Sequence, residues 1–149
     1  MKYFTLEELT RSDTASIKHI DNTPDESITE HLIELVEKLL DPIRERWAKY
    51  CDDNQLGNAG IRISSGFRNK ELNKAVGGSL TSAHLTGYAA DISPINGNMK
   101  VFQSWIAEAI EEFDFDECFI EKSSTSQWVH IALYSIKGLQ RRKVGKLYV

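Results

Sequence analysis

Ser82-Ala83-His84-Leu85-Thr86-Gly87-Tyr88-Ala89-Ala90-Asp91 sets a histidine in a loop and an aspartate seven residues later, on the stretch Tyr88 to Ile92 that reads as a short strand. Gly87 lets the chain turn tightly between the two. A second histidine, His130, stands inside the apolar run Trp128-Val129-His130-Ile131-Ala132-Leu133, which reads as another strand. Zinc accepts imidazole nitrogen and carboxylate oxygen at about 2.0–2.2 Å, and three protein ligands leave a fourth position for water. Two histidines and one carboxylate therefore have the chemistry of a catalytic zinc site. The same residues equally suit a hydrogen-bonded core histidine and an aspartate capping the turn before Pro94, and spacing alone does not choose between these readings.

Outward from this segment, Ile61-Arg62-Ile63-Ser64 alternates as a half-buried strand does and ends at Ser65-Gly66. Asn69 to Val76 predicts a short helix closed by Gly77-Gly78. Upstream, Thr5 and Glu8 have capping-box spacing for a short helix. Thr23-Pro24-Asp25-Glu26 predicts a longer one, with Thr23 as cap and Pro24 at the first helical position. Ile28, Leu32, Leu35, Val36, Leu39, Leu40, Ile43 and Trp47 keep helical spacing in one apolar stripe, which Pro42 kinks or divides. Downstream, Val101, Trp105, Ile106, Ala109 and Ile110 mark another amphipathic helix. Cys118-Phe119-Ile120 predicts a strand joined to the Trp128 run by the polar loop Lys122 to Gln127. Helices first and then a small, mostly antiparallel sheet packed with helices make the fold class α+β.

The 149 residues suit one domain spanning 1–149, large enough to bury a core without staples. No apolar run approaches the ~20 residues of a bilayer span, and acids interrupt the first residues before a signal-peptide core can form. Synthesis in the bacterial cytoplasm without a signal peptide is the expectation, and two lone cysteines, Cys51 and Cys118, suit reduced thiols there. A net charge of −4 argues against a nucleic-acid binder. The basic stretch Lys137 to Lys146 reads as a solvated tail. The oligomeric state is unconstrained, with a monomer the simplest expectation.

Four ordered motifs carry a resemblance: Ser65-Gly66-Phe67-Arg68, Leu72-Asn73-Lys74-Ala75-Val76-Gly77-Gly78, Ser82 to Asp91, and Trp128-Val129-His130. Together they resemble the zinc D-alanyl-D-alanine carboxypeptidase superfamily, which includes D-Ala-D-Ala dipeptidases, L-alanyl-D-glutamate endopeptidases and the hedgehog signalling domain. The chain is most similar to short phage and prophage cell-wall hydrolases of that superfamily, over nearly its whole length. The resemblance implies a hedgehog/D-Ala-D-Ala-peptidase-like fold and one zinc ion held by His84, Asp91 and His130. It also implies hydrolysis of a peptide bond in bacterial peptidoglycan.

Such hydrolysis needs a water acidified by the metal, a base, and a cation for the oxyanion. Arg68 matches the family arginine that faces the substrate carbonyl or terminal carboxylate, a task its planar charged fork suits. Ser82 matches a serine near the substrate and is equally a turn-former; Asn73 fixes the loop. Many relatives place the base three residues before the last histidine ligand, where this chain has Gln127, which cannot take a proton. Phage-type members carry an acid at the end of the preceding strand instead, and Phe115-Asp116-Glu117-Cys118-Phe119-Ile120-Glu121 assigns that place to Glu121, with Glu117 and Asp116 behind it. The alternative is a zinc-containing module that binds wall peptides or a protein without cutting.

Overall fold

The computed structural model describes residues 1–149. Two short helices, α1 (Leu6–Thr10) and α2 (Asp13–Ile17), precede α3 (Glu26–Leu35), a wider π-helical turn (Val36–Leu40) and α4 (Asp41–Asp53). Strand β1 (Ile61–Ser65), helix α5 (Lys70–Ala75), a 3₁₀ turn (Ala83–Thr86) and β2 (Ala89–Pro94) follow. Helix α6 (Met99–Ala109) and a second 3₁₀ turn (Ile110–Glu112) lead to β3 (Glu117–Lys122), β4 (Gln127–Ala132) and β5 (Lys143–Tyr148). The five strands form one sheet in the order β1-β2-β4-β3-β5. Every pairing is antiparallel except that of β3 with β5. The α+β expectation holds.

The apolar stripe forms as its spacing predicts: Leu32, Leu35, Val36, Leu39, Ile43 and Trp47 are all fully buried. They pack with α6 and with the sheet residues Ile92, Val129 and Ile131 in one core cluster. Trp47 meets Phe102 edge to face, with ring centroids 4.9 Å apart. The regular α-helix is divided just ahead of Pro42 by the π-helical turn, while the backbone stays helical throughout. Pro42 sits in the first turn of α4, and the amide of Asp41 reaches back five residues to the Val36 carbonyl. The widened turn relieves the clash and missing donor that proline brings to a regular helix. The start of α3 also differs from expectation. Asp25, not Thr23, is the cap, its carboxylate accepting from the Ile28 amide at 2.8 Å. Thr23 is engaged by Asp21, which accepts from both its amide and its hydroxyl.

The basic stretch is the larger correction. Instead of a solvated tail, residues 143–148 pair in parallel with β3, from Glu117 opposite Lys143 to Lys122 opposite Tyr148. Arg141 docks this strand by a forked pair with Asp116, both contacts at 2.8 Å. Burial pushes the Asp116 carboxyl up, but its bonds from Arg141 outweigh this and hold it below the ordinary range. Most side chains of β5 stay exposed, as a charged edge strand requires, and so the strand shows little periodicity. Cys51 and Cys118 are buried free thiols. No helix is long and apolar enough to cross a membrane.

Candidate metal centre

Alternation along the strands divides the sheet into two faces. One faces the helical core through Ile92, Val129 and Ile131; the other carries Asp91 on β2, His130 on β4, and Glu117, Phe119 and Glu121 on β3. The register sets Asp91 directly opposite His130, and His130 directly opposite Phe119. Directly opposed residues are the closest side-chain neighbours in a sheet. The Asp91 Oδ1 atom accordingly lies 3.1 Å from His130 Nδ1, and the His130 ring stacks on Phe119 at 6.0 Å between centroids.

His84 comes from the 3₁₀ turn just before β2. Gly87 ends that turn at φ +81°, and an added Cβ there would also crowd Ile28, so glycine is demanded twice over. The His84 side chain is buried, with Nδ1 donating to the Gly66 carbonyl at 2.7 Å and Nε2 left 3.3 Å from Asp91 Oδ1. Gly66, Phe67 and Arg68 are sandwiched in turn: Phe67 donates its amide to the Leu9 carbonyl and Arg68 donates its amide to the His84 carbonyl. Buried Asn22 fastens the same loop, donating to the carbonyls of Thr10 and Phe67 and accepting from the Asn69 amide. No sequence pattern marked Asn22, whose partners are backbone atoms distant in the chain.

One donor atom each from His84, Asp91 and His130 lies within 4.8 Å of the others. The donor set fits a metal in tautomer as well as in spacing. A carbonyl can only accept, so Nδ1 of His84 carries the proton and Nε2 is free to ligate. Without a cation, the two imidazoles flank the partly buried Asp91 carboxylate. Burial pushes the Asp91 carboxyl up, but His84 and His130 outweigh it and hold the group well below the ordinary range. Burial lowers His84. Burial also works against charge on His130, yet its bonds to Asp91 and Glu117 raise it to about 10.

These three residues open onto a cleft of about 440 Å³ that Arg68, Ser82 and Glu121 also line. The structure thus brings together His84, Asp91, His130, Arg68, Ser82 and Glu121, the six candidate ligand, catalytic and substrate-binding residues of the sequence analysis. Ser82 caps the 3₁₀ turn by accepting from the His84 amide, and its hydroxyl lies 3.5 Å from the Arg68 fork. Arg68 Nε is buried and unpartnered. Burial lowers its proton affinity, while Asp91 and then Glu121 raise it. Glu121 lies opposite Trp128, whose indole N–H donates to its Oε2 at 2.9 Å. Burial raises the Glu121 carboxyl above its ordinary value, against the pull of His130. Asn73 secures the neighbouring loop by donating to the Ser79 carbonyl.

Gln127 does not belong to this cleft. Three residues from His130 on a regular strand, it points to the opposite face and lines a groove with Gln103 and Ser104 of α6. Glutamine there removes no base from the metal side. Of the two acids ranked behind Glu121, Asp116 is fully buried and committed to Arg141, and Glu117 is held by His130.

The α+β fold thus carries, on one face of its sheet, a His/His/Asp cluster that could hold a metal ion and is open to the cleft on one side. A family model described as Peptidase M15 matches residues 2–132. The chain belongs to that family of zinc-dependent peptidases. A search of curated proteins returns no match.

The close approach at Gly66 gives a first prediction. A Cβ there would lie 2.2 Å from the Leu9 carbonyl oxygen, a backbone atom unable to swing aside. Gly66→Ala is expected to cost roughly 1–3 kcal/mol of stability by overpacking. Because the Gly66 carbonyl holds His84, zinc binding should weaken in parallel. Urea denaturation and a zinc titration of the same variant check both effects.

Proposed function

We propose that the protein is a zinc metallopeptidase that hydrolyses peptide bonds of bacterial peptidoglycan, as a D-Ala-D-Ala carboxypeptidase or stem-peptide endopeptidase. Its four motifs favour a phage or prophage cell-wall hydrolase. The observation that carries this reading is the open His84–Asp91–His130 centre sharing one cleft with a half-buried carboxylate and an unsatisfied arginine. A single domain spanning 1–149, acting as a monomer on peptidoglycan peptides, is part of the proposal.

Bound by His84 Nε2, Asp91 and His130 Nδ1, zinc would supply Lewis-acid polarisation of the scissile carbonyl and acidify a water. Glu121 takes the proton of the attacking water, its raised pKa bringing it closer to the working pH of a general base. Its anchoring by Trp128 leaves Oε1 for that task. Arg68 directs its fork at the developing oxyanion or a terminal carboxylate of the substrate, and Ser82 orients that fork. The same Glu121 then returns the proton to the departing amine.

Mass spectrometry of soluble fragments released from purified peptidoglycan tests this reading, with His84→Ala as control. New amino and carboxyl ends produced by wild type alone are expected, and they would identify the bond. No release from several wall chemistries, with zinc bound stoichiometrically, would replace the proposal with a module that binds wall peptides without cutting them.

A further inference from the structure

The ring of His130 is held on both sides. Nδ1 faces Asp91, while Nε2 lies 3.1 Å from Glu117 Oε1. Glu117 sits two residues along β3 from Phe119, the residue opposite His130, and so occupies the diagonal position that a long side chain can span. Its other oxygen lies 3.4 Å from the Arg141 guanidinium. Arg141 is itself fixed: its fork and its own amide all bond the fully buried Asp116. Asp116 is locked in the main chain, donating its amide to Ala132 and accepting the Lys143 amide. Arg141 and Lys143 both lie beyond residue 132, where the family match ends.

We infer that Glu117 is a positioning residue for the metal ligand His130, and that Arg141, through its clamp on Asp116, fixes Glu117 and ties β5 to the metal centre. The inference rests on the reading of His84, Asp91 and His130 as zinc ligands. For Nδ1 to ligate, Nε2 must carry the proton, and that N–H needs an acceptor in the ring plane to hold tautomer and orientation. Glu117 is that acceptor, making a carboxylate–histidine–metal arrangement of the kind that sharpens ligand basicity and geometry. Its engagement with His130 also leaves the cleft's proton transfer to Glu121. The segment leading into the parallel strand, beyond the matched residues, thus has a function at the centre: it carries Arg141, the cation that stops Glu117 from turning to solvent.

The test measures zinc affinity of the full chain by competition with a chromophoric chelator, together with the visible spectrum of the cobalt-substituted protein. Glu117→Leu keeps volume but offers no acceptor; it is expected to weaken zinc by roughly 10–100-fold and to shift the cobalt bands. Glu117→Gln keeps an acceptor oxygen and should restore most of the affinity and the wild-type spectrum. Arg141→Met should weaken zinc in the same direction by a smaller factor. If Glu117→Leu fails to fold, Glu117→Ala provides the same two readouts. Wild-type affinity and spectrum in the acceptor-less variant, with wild type binding zinc normally, would overturn the inference alone. Wild type that binds no zinc would overturn the metal centre and this inference with it.

Discussion

Glu121→Gln is expected to lower kcat on peptidoglycan fragments by about 10²–10⁴-fold, the usual contribution of a positioned general base, while zinc stays bound at wild-type stoichiometry. The substitution is nearly isosteric, and the new amide oxygen can still accept from the Trp128 indole that now holds Oε2 at 2.9 Å. Only basicity is removed. The pH dependence follows from the sign of the shift. Burial raises Glu121 above the ordinary glutamate value of 4.5, and the base works only when deprotonated. The acid limb of wild-type kcat/KM should therefore lie above that value and vanish in the variant. Steady-state rates across pH, with metal content determined on the same samples, check both statements. A variant with wild-type kcat would remove Glu121 as the base. Gln127→Glu is expected to leave kcat unchanged, because residue 127 faces α6 rather than the cleft. A gain in kcat from that change would show that the strand does not keep the alternation seen here.

The relation between sequence and structure differs from element to element for physical reasons. The buried helical stripe was legible because packing on one core imposes one periodicity, whereas the candidate ligands His84, Asp91 and His130 were legible only through the ordered motifs that resemble a zinc peptidase superfamily, since their spacing alone equally suits a core histidine and a turn-capping aspartate. The cap of α3 was misread because Thr23 and Asp25 both suit a cap, and the contest was settled by Asp21, which occupies Thr23. Strand β5 was illegible for a different cause. An exposed edge strand shows little burial alternation, and what holds it is its parallel ladder with β3 and the pairing of Arg141 with Asp116, 25 residues apart, both of which only the fold supplies. Gln127 exposes the weakness of counting along a strand without its pleat: an interval of three suits one face of a helix but opposite faces of a strand. Asn22 and Glu117 belong to the remaining class, polar residues whose value depends on partners that only the fold supplies.

Arg68→Met should lower kcat/KM by about 10²–10³-fold, the scale of losing one oxyanion contact, without lowering the denaturation midpoint. The two halves of this expectation come from one observation. Arg68 is held in the cleft wall with Nε buried and unpartnered, and its nearest hydroxyl, that of Ser82, is at the long distance of 3.5 Å. Burial already weakens its hold on its proton, although Asp91 and Glu121 favour the charge. A structural arginine would have its donors satisfied, as Arg141 does against Asp116. Arg68 instead keeps donor capacity in reserve, an arrangement in which stability is surrendered for activity. Methionine keeps much of the stem and discards the unsatisfied fork, so the fold loses little. Arg68→Lys should stay nearly as inactive as the methionine variant, because a point charge on a flexible stem does not reproduce a planar fork. Steady-state kinetics and thermal denaturation of both variants make the comparison. A methionine variant that is markedly destabilised yet active would mean that Arg68 serves the fold, and the oxyanion contact would have to be sought among the remaining donors of the cleft.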